Sequence, residues 1–377
     1  MRKEQRQVLL QTGLFIATFI STTLAGVFWN SGKLALLQGC TWSEFVDGME
    51  YSIPFLLILT VHELGHYFTA RHYKIHTSLP YYIPFPPLLL PPIGTLGAVI
   101  RIRERVKSTI QQFDIGLAGP LAGFIVALFI TAYGFATLPP ADYVFRFHPE
   151  YEQYGLNYAE HVYSEEYMKE HEALDLQIGS NLLFEIFGYF VSDKQRIPNP
   201  HEMMHYPVLM AGFFALLFTA LNLLPMGQLD GGHITYGLFG SKWHRIIATS
   251  FFTLVFFYSG LGMLSPLQDQ NTLLTGIPLT IGFYYFCFRA LSSDMQNRIM
   301  YALVLFAVQF ILAWVLPQVK GYPGWFLFGF VVSRFIGIQH PGSEIEVPLD
   351  AKRIILGWIA LLIFVLCVSP APFIMSE

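Results

Sequence analysis

The feature that most restricts this chain is how often it returns to apolar runs of about 17 to 25 residues, the length a helix needs to cross the hydrocarbon core of a bilayer. Such runs lie near residues 9–29, 51–73, 113–137, 206–225, 246–264, 276–291, 299–316, 323–338 and 354–371. The 276–291 and 323–338 runs are short, so the expectation is eight or nine spans. Composition agrees: 54% of the 377 residues are apolar and 13% charged, with 35 Phe, and mean hydropathy is +0.47. A soluble domain of this size needs more charge to cover its surface. The sequence therefore predicts an all-α polytopic membrane protein. Cys40, Cys287 and Cys367 are scattered without a CxxC pattern, which indicates neither a disulfide framework nor a cysteine zinc site. The N-terminal MRKEQRQVLLQTGLF is a short basic head running into an apolar segment with no obvious cleavage site, and reads as a retained first span.

Lys and Arg set the expected orientation. With Arg2, Lys3 and Arg6 in the cytoplasm, the second span runs inward to Arg71 and Lys74, and Arg101, Arg103, Arg105 and Lys107 fall on the same side. Lys242 with Arg245, Arg289 with Arg298, and Lys352 with Arg353 also fall inside, and Lys33 and Lys320 are minor exceptions. Residues 138–205 then lie outside. They hold twelve Asp and Glu against four Lys and Arg, a local −8 in a chain of net −4. With few clear strand patterns, this segment reads as a solvated acidic cap or loop bundle.

Within the second apolar run stands Val61-His62-Glu63-Leu64-Gly65-His66. On a helix His62 and His66 are i and i+4, so both imidazoles leave one face a turn apart and can share one zinc ion. Glu63 follows the first ligand directly, where it can take a proton from the water that the metal activates. Three titratable groups at membrane depth are costly without a compensating partner such as a cation. A second HExxH, His201-Glu202-Met203-Met204-His205, lies in polar sequence between Pro198, Pro200 and Pro207. Those prolines make a long ligand-bearing helix difficult, so this copy is expected to be incidental. His148, His161, His171, His201 and His205 are read as surface histidines, with an accessory metal site as the lesser alternative.

Residues 77–100, TSLPYYIPFPPLLLPPIGTLGAVI, carry six prolines and cannot be a span, yet they are strongly apolar. A packed re-entrant connector or a β-hairpin with an available edge around GTLGAVIRIR is expected here. The third span contains GLAGPLAG (Gly116–Gly123), whose small residues are first a helix-packing surface. The fourth ends in TALNLLPMGQLDGGH, where Pro225 and Gly227 should unwind the helix. Asp230 falls at a depth similar to His66 and is the leading carboxylate for a third zinc ligand, leaving a position for water. Asn222 and His233 can orient ligands or bind a substrate carbonyl. His340-Pro341-Gly342 with Glu344 and Glu346 reads as a cytoplasmic loop without assigned chemistry.

Taken together, HELGH within a span and LNLLPMGQLDGG resemble the HExxH and Asn-x-x-Pro-x-x-x-x-Asp-Gly signatures of the site-2 protease family of intramembrane zinc metalloproteases. SLPYYIPFPP, GTLGAVIRIR and FDIGLAGPLAG are similar to the branch without a peptide-binding insertion between the second and third spans. The resemblance covers about residues 50–135 and 205–240. It implies His62, His66 and Asp230 as ligands of one Zn2+ per chain and Glu63 as the catalytic carboxylate. It also implies Asn222 near the substrate, and Gly94, Thr95, Leu96 and Gly97 in a hairpin that pairs with an unwound substrate.

The resulting expectation is a zinc endopeptidase that cleaves transmembrane segments of other proteins. A membrane metal-ion transporter and a non-cleaving scaffold are the alternatives. The expected organisation is an N-terminal span and outer loop (1–50), a catalytic core (51–137), the acidic outer segment (138–205), a core span bearing the Asp ligand (206–240) and C-terminal spans (241–377). Single-span membrane proteins are the expected substrates and the lipid bilayer the surroundings, with no role for nucleic acid. The oligomeric state is not legible. The compact chain with no organelle-targeting presequence suggests a bacterial inner membrane, with the active site toward the cytoplasm.

Overall fold

Every long apolar run becomes a helix in the computed structural model, which describes residues 3–88, 92–170 and 176–375. Arg2 and His171 lie outside the described residues. The first part of the chain forms α1 (Lys3–Ser31), a short α2 (Ala35–Gln38), α3 (Trp42–His72), β1 (Tyr81–Pro84), β2 (Thr95–Val99) and α4 (Thr109–Ala136). The described part of residues 138–205 folds into short 3-10 turns with α5 (Tyr158–Val162), α6 (Glu165–Glu170), β3 (Leu176–Ile178) and α7 (Leu182–Phe190). After it come α8 (Pro207–Asn222), α9 (Asp230–Gly260), α10 (Gln270–Cys287), α11 (Met295–Val315), α12 (Trp325–Val331), α13 (Ala351–Cys367) and β4 (Phe373–Met375). Four of the described helices are long and apolar enough to cross a membrane by length and composition: Gln5–Ser31, Thr109–Ala136, Gln270–Ala290 and Met295–Val315. The expectation of eight or nine counts every apolar run. α8 and α12 with its continuation are too short for that measure, and α3 carries the polar His62, Glu63 and His66 within its apolar stretch.

Local chemistry sets several helix boundaries. Thr41 caps α3: its side chain accepts from the Glu44 N–H while Glu44 reaches back to the Thr41 N–H, a reciprocal pair that satisfies two otherwise orphaned donors. Asp269 and Asp294 cap α10 and α11 through their side chains. α9 is broken at Gly240, whose φ of 74° is left-handed.

The described chain divides into two compact units. The first comprises residues 1–106, 118–221 and 360–377. Its centre is aromatic, with Trp29, Tyr51, Phe55, Phe213 and Phe214 fully buried. α1 and α3 cross at a backbone contact, since a Cβ on Gly26 would stand 2.3 Å from the Gly48 carbonyl oxygen. Small residues permit this proximity where helices must pack without a hydrophobic drive from water. β1 and β2 pair antiparallel, with Tyr82 opposite Ala98 and an irregularity before Pro84 pairs with Thr95. β3 pairs antiparallel with β4, which returns the chain after α13 to residues 176–178.

The second unit comprises residues 107–117 and 222–359. Phe252, Phe256, Tyr284 and Phe288 form its buried aromatic cluster. Gln309, 3% exposed, is tolerated there because its amide donates to the Phe256 and Phe257 carbonyls and its oxygen accepts from the Tyr284 hydroxyl. Arg353 makes two parallel bonds of 2.8 and 2.7 Å to Asp114, joining the start of α13 to the start of α4.

Candidate metal centre

In the first unit, α3 carries the HELGH residues as a regular helix, with His62, Glu63 and His66 all buried. The i, i+4 spacing brings the two Nε2 atoms to 3.0 Å, with the rings at 75° to each other. Four nitrogens arranged as a tetrahedron with zinc bonds of about 2.0–2.1 Å lie about 3.3 Å apart. The two imidazoles are thus already near ligand spacing.

The wall against them is α4. A Cβ on Gly119 would stand 2.1 Å from His66 Nε2, one on Gly123 would stand 3.0 Å from His62 Cβ, and one on Gly65 would stand 2.5 Å from the Ala118 carbonyl oxygen. The GLAGPLAG stripe is therefore more than a general packing surface, because its glycines make room for the imidazoles themselves. From sequence, only the small-residue pattern was visible.

The β1–β2 hairpin is fixed to the same helix. The Tyr82 hydroxyl lies 2.7 Å from Thr60 Oγ1, and the Tyr51 hydroxyl donates to the Ile93 carbonyl at 3.1 Å. Burial raises the Tyr82 phenol above its ordinary pKa; the Thr60 bond opposes this and the Glu63 carboxylate adds to it. Tyr82 is a residue that sequence reasoning missed, since nothing in its spacing ties it to Glu63. Of the expected substrate-facing residues, Gly94 has φ 87° and packs on α1, where a Cβ would stand 2.5 Å from Thr22 Cα. Thr95 is buried and donates to the Ile83 carbonyl, whereas Leu96 is 59% exposed. Gly97, at φ 103°, donates its N–H to Thr95 Oγ1. β2 pairs with β1 along one edge, and among the described residues no strand lies along the other.

In the second unit Asn222 is the last residue of α8 and Asp230 the first of α9. The loop between them folds tightly onto the first turn of α9: a Cβ on Gly231 would stand 2.0 Å from the Leu223 carbonyl oxygen and one on Gly232 2.3 Å from that of Gly227. His233, one turn on, lies 2.8 Å through Nδ1 from Nε2 of His340. The His340 Nδ1 accepts the Gly342 N–H, so its Nε2–H is the donor to His233. Tyr236 stacks on His340 at 4.1 Å, donates to Glu346 and accepts the Ser343 N–H. Burial, then His233 and His244, push the His340 imidazole down to about 3. Residues 340–346 are a loop, as expected, and its contacts make it a buttress for the helix that starts with Asp230. Its partner lies 107 residues away, a distance no local pattern reports.

The second HExxH is no ligand-bearing helix. His205 ends a three-residue 3-10 turn, and His201 stacks on Tyr163 and bonds Asn199 instead of facing His205. Pro200 and Pro207 explain the break. Yet Glu202 and His205 are buried against His148, so reading all five histidines of this segment as surface residues fails for His205.

Comparison with known proteins bears on what these residues do. The model of a family described as Peptidase family M50 matches residues 50–266. A chloroplastic protein of Arabidopsis thaliana named "Probable zinc metalloprotease EGY1" is 30% identical over 207 residues, covering 52% of this chain and 31% of the relative. One of Oryza sativa subsp. indica named "Probable zinc metalloprotease EGY2" is 26% identical over 242 residues, covering 60% and 38%. A third, "Probable zinc metalloprotease EGY3" of the same rice, is 25% identical over 238 residues, covering 60% and 36%. The chain thus spans less than two fifths of the length of these relatives. No solved structure matches it.

Proposed function

The chain belongs to peptidase family M50, and from that premise we propose that it is a zinc-dependent intramembrane endopeptidase acting on transmembrane segments of other proteins. The observation that carries this reading is the buried His62–His66 pair with Nε2 atoms 3.0 Å apart, next to Glu63, in an apolar helix. We assign His62, His66 and Asp230 as the ligands. Asp230 enters through the LNLLPMGQLDGG signature and its place at the start of α9. Zinc, when bound, polarises the scissile carbonyl and lowers the pKa of the attacking water. Glu63 accepts the proton of that water as its oxygen bonds to the carbonyl carbon. It then passes the proton to the amide nitrogen as the C–N bond breaks. A transmembrane helix hides its peptide bonds in internal hydrogen bonds, so the substrate must unwind first. The edge of β2 along which no strand lies among the described residues, with Thr95, Leu96 and Gly97 following the turn at Gly94, offers backbone groups to the unwound strand, and Asn222 lies near the substrate carbonyl.

Nine spans, with residues 77–100 as a re-entrant hairpin, complete the proposal. The β3–β4 pairing supports the odd count, since it demands an even number of crossings between residue 205 and residue 373, and six apolar runs lie there. Single-span proteins are the proposed substrates, the active site faces the cytoplasm, and a bacterial inner membrane is the proposed location even though the relatives above are chloroplastic.

The test is cleavage of a panel of single-span proteins by the purified, detergent-solubilised chain, beside Glu63→Gln and a zinc chelator, with metal quantified. Cleavage within a span that both treatments abolish, with zinc retained in Glu63→Gln, is expected. Activity that survives Glu63→Gln overturns the proposal and moves weight to transport or scaffolding.

A further inference from the structure

We propose that His148, Glu202 and His205 form a second metal site, in the acidic outer segment and independent of the HELGH residues, that takes zinc or a similar borderline divalent ion. All three lie in the first unit. His148 Nε2 and His205 Nε2 are 3.2 Å apart, and Glu202 Oε2 is 3.6 Å from the former and 3.5 Å from the latter. One ion with tetrahedral bonds of about 2.0–2.1 Å places its ligand atoms about 3.3 Å apart, so these three atoms match one face of that tetrahedron. No side chain has to move far.

Proton bookkeeping points the same way. His205 Nδ1 faces the Asn30 carbonyl oxygen at 3.2 Å, and His148 Nδ1 faces Glu150 Oε1 at 3.4 Å. Both outer nitrogens meet acceptors, so in the neutral rings they carry the hydrogen and both Nε2 atoms present lone pairs. The third lone pair is Glu202 Oε2. This carboxylate has a side chain only 2% exposed, and among the described residues its Oε2 accepts no hydrogen bond. Three inward lone pairs with no donor between them are unfavourable unless a cation sits among them.

The surroundings hold the donors in place, as partners behind metal ligands generally do. Tyr163 donates to the other Glu202 oxygen. Phe147 stacks on His205 and Tyr151 on His148, each at 11°. His148 keeps 30% of its side chain exposed, which leaves an entry path. Glu202 and His205 immediately precede α8, whereas His148 sits in the turns after α4. An ion there ties the outer segment to the start of a core helix.

The measurement is zinc per chain in the whole 377-residue chain carrying His62→Ala and His66→Ala, after gel filtration in zinc-free buffer. That background removes the first centre, so failure of the proposed protease reading does not affect the outcome. One zinc per chain is expected, lost when Glu202→Gln is added, with cobalt in its place giving the visible absorption of a tetrahedral nitrogen and oxygen set. Adding zinc should also raise the thermal unfolding midpoint of this background and leave that of the Glu202→Gln version unchanged. His148→Ala, at the more exposed ligand, gives the same loss with less risk to folding, and His148→Cys restores binding by returning a donor. No zinc in the background, or zinc that survives both Glu202→Gln and His148→Ala, overturns the proposal in favour of a side-chain cluster without a metal.

Discussion

Replacing Gly119 with Ala tests how α4 shapes the HELGH centre. The added methyl carbon would lie 2.1 Å from His66 Nε2, 2.4 Å from Cε1 and 2.5 Å from Cδ2. Carbon and ring atoms in contact settle at about 3.5 Å, so the imidazole or one of the two helices must yield by more than about 1 Å. Overpacking of this kind costs about 1–3 kcal/mol. The movement falls on the nitrogen proposed as a ligand, where even loss of a supporting partner lowers metal affinity about 10- to 100-fold. At least the upper end of that range is expected. Gly123→Ala is the internal control: its methyl would stand 3.0 Å from His62 Cβ, a gap that a few tenths of an ångström relieve. Zinc retained against a graded chelator, read with thermal unfolding in the same detergent, separates ligand displacement from general destabilisation. The expected order of zinc loss is Gly119→Ala well ahead of Gly123→Ala, and wild-type retention by Gly119→Ala refutes the placement of His66 against that wall.

Three other perturbations follow from single contacts. Tyr82→Phe removes the hydroxyl held by Thr60 and should cost about 1 kcal/mol in stability; it should also lower kcat/KM for a membrane substrate while zinc content stays at wild type. Gln309→Leu strips partners from the Tyr284 hydroxyl and from the Phe256 and Phe257 carbonyls, and a loss of about 2–3 kcal/mol is expected from the buried groups left behind, read as a lower unfolding midpoint. His340 has its folded pKa pushed down to about 3 from 6.5, so the unfolded chain binds the extra proton and the neutral ring's stabilisation is present above 6.5 and lost as pH falls toward 3. The stability gap between wild type and His340→Gln should therefore be full near about pH 7.5 and shrink near about pH 4.5, and a gap that widens on acidification contradicts the buried neutral ring.

What could be read from sequence divides along a physical line. Every helix of the apolar runs was legible because a span announces itself by local composition, and the HELGH pair because i and i+4 share a face by helix geometry alone. The hairpin was foreseeable from the six prolines that bar a helix and the glycines that follow them. The contacts that cross the chain were not legible. His340 meets His233 across 107 residues and His148 meets His205 across 57, and no periodicity encodes either. HEMMH shows the cost of reading a motif by its spelling. As an HExxH helix it fails, since the flanking prolines leave only a 3-10 turn. As Glu202 and His205 one turn apart, waiting for His148, it joins a built cluster.

On the proposed reading, the first unit also suggests how an unwound substrate and the proposed catalytic carboxylate, Glu63, are kept in register. Thr60 and Glu63 are three residues apart on α3 and so share a face. The hairpin is fastened through Tyr82 to Thr60, and through Gly94 to Ser21 on α1. The hairpin is therefore braced at two points, on β1 a single turn from Glu63 and at Gly94 just before β2, and β2 is held through its pairing with β1. A strand that pairs with the open edge of β2 inherits that bracing, and its backbone stands in a fixed relation to the turn of helix that carries Glu63. Pairing of this kind selects by backbone geometry more than by side chain. If the proposed function holds, the ease with which a transmembrane segment unwinds should govern its cleavage more than its sequence at the scissile bond.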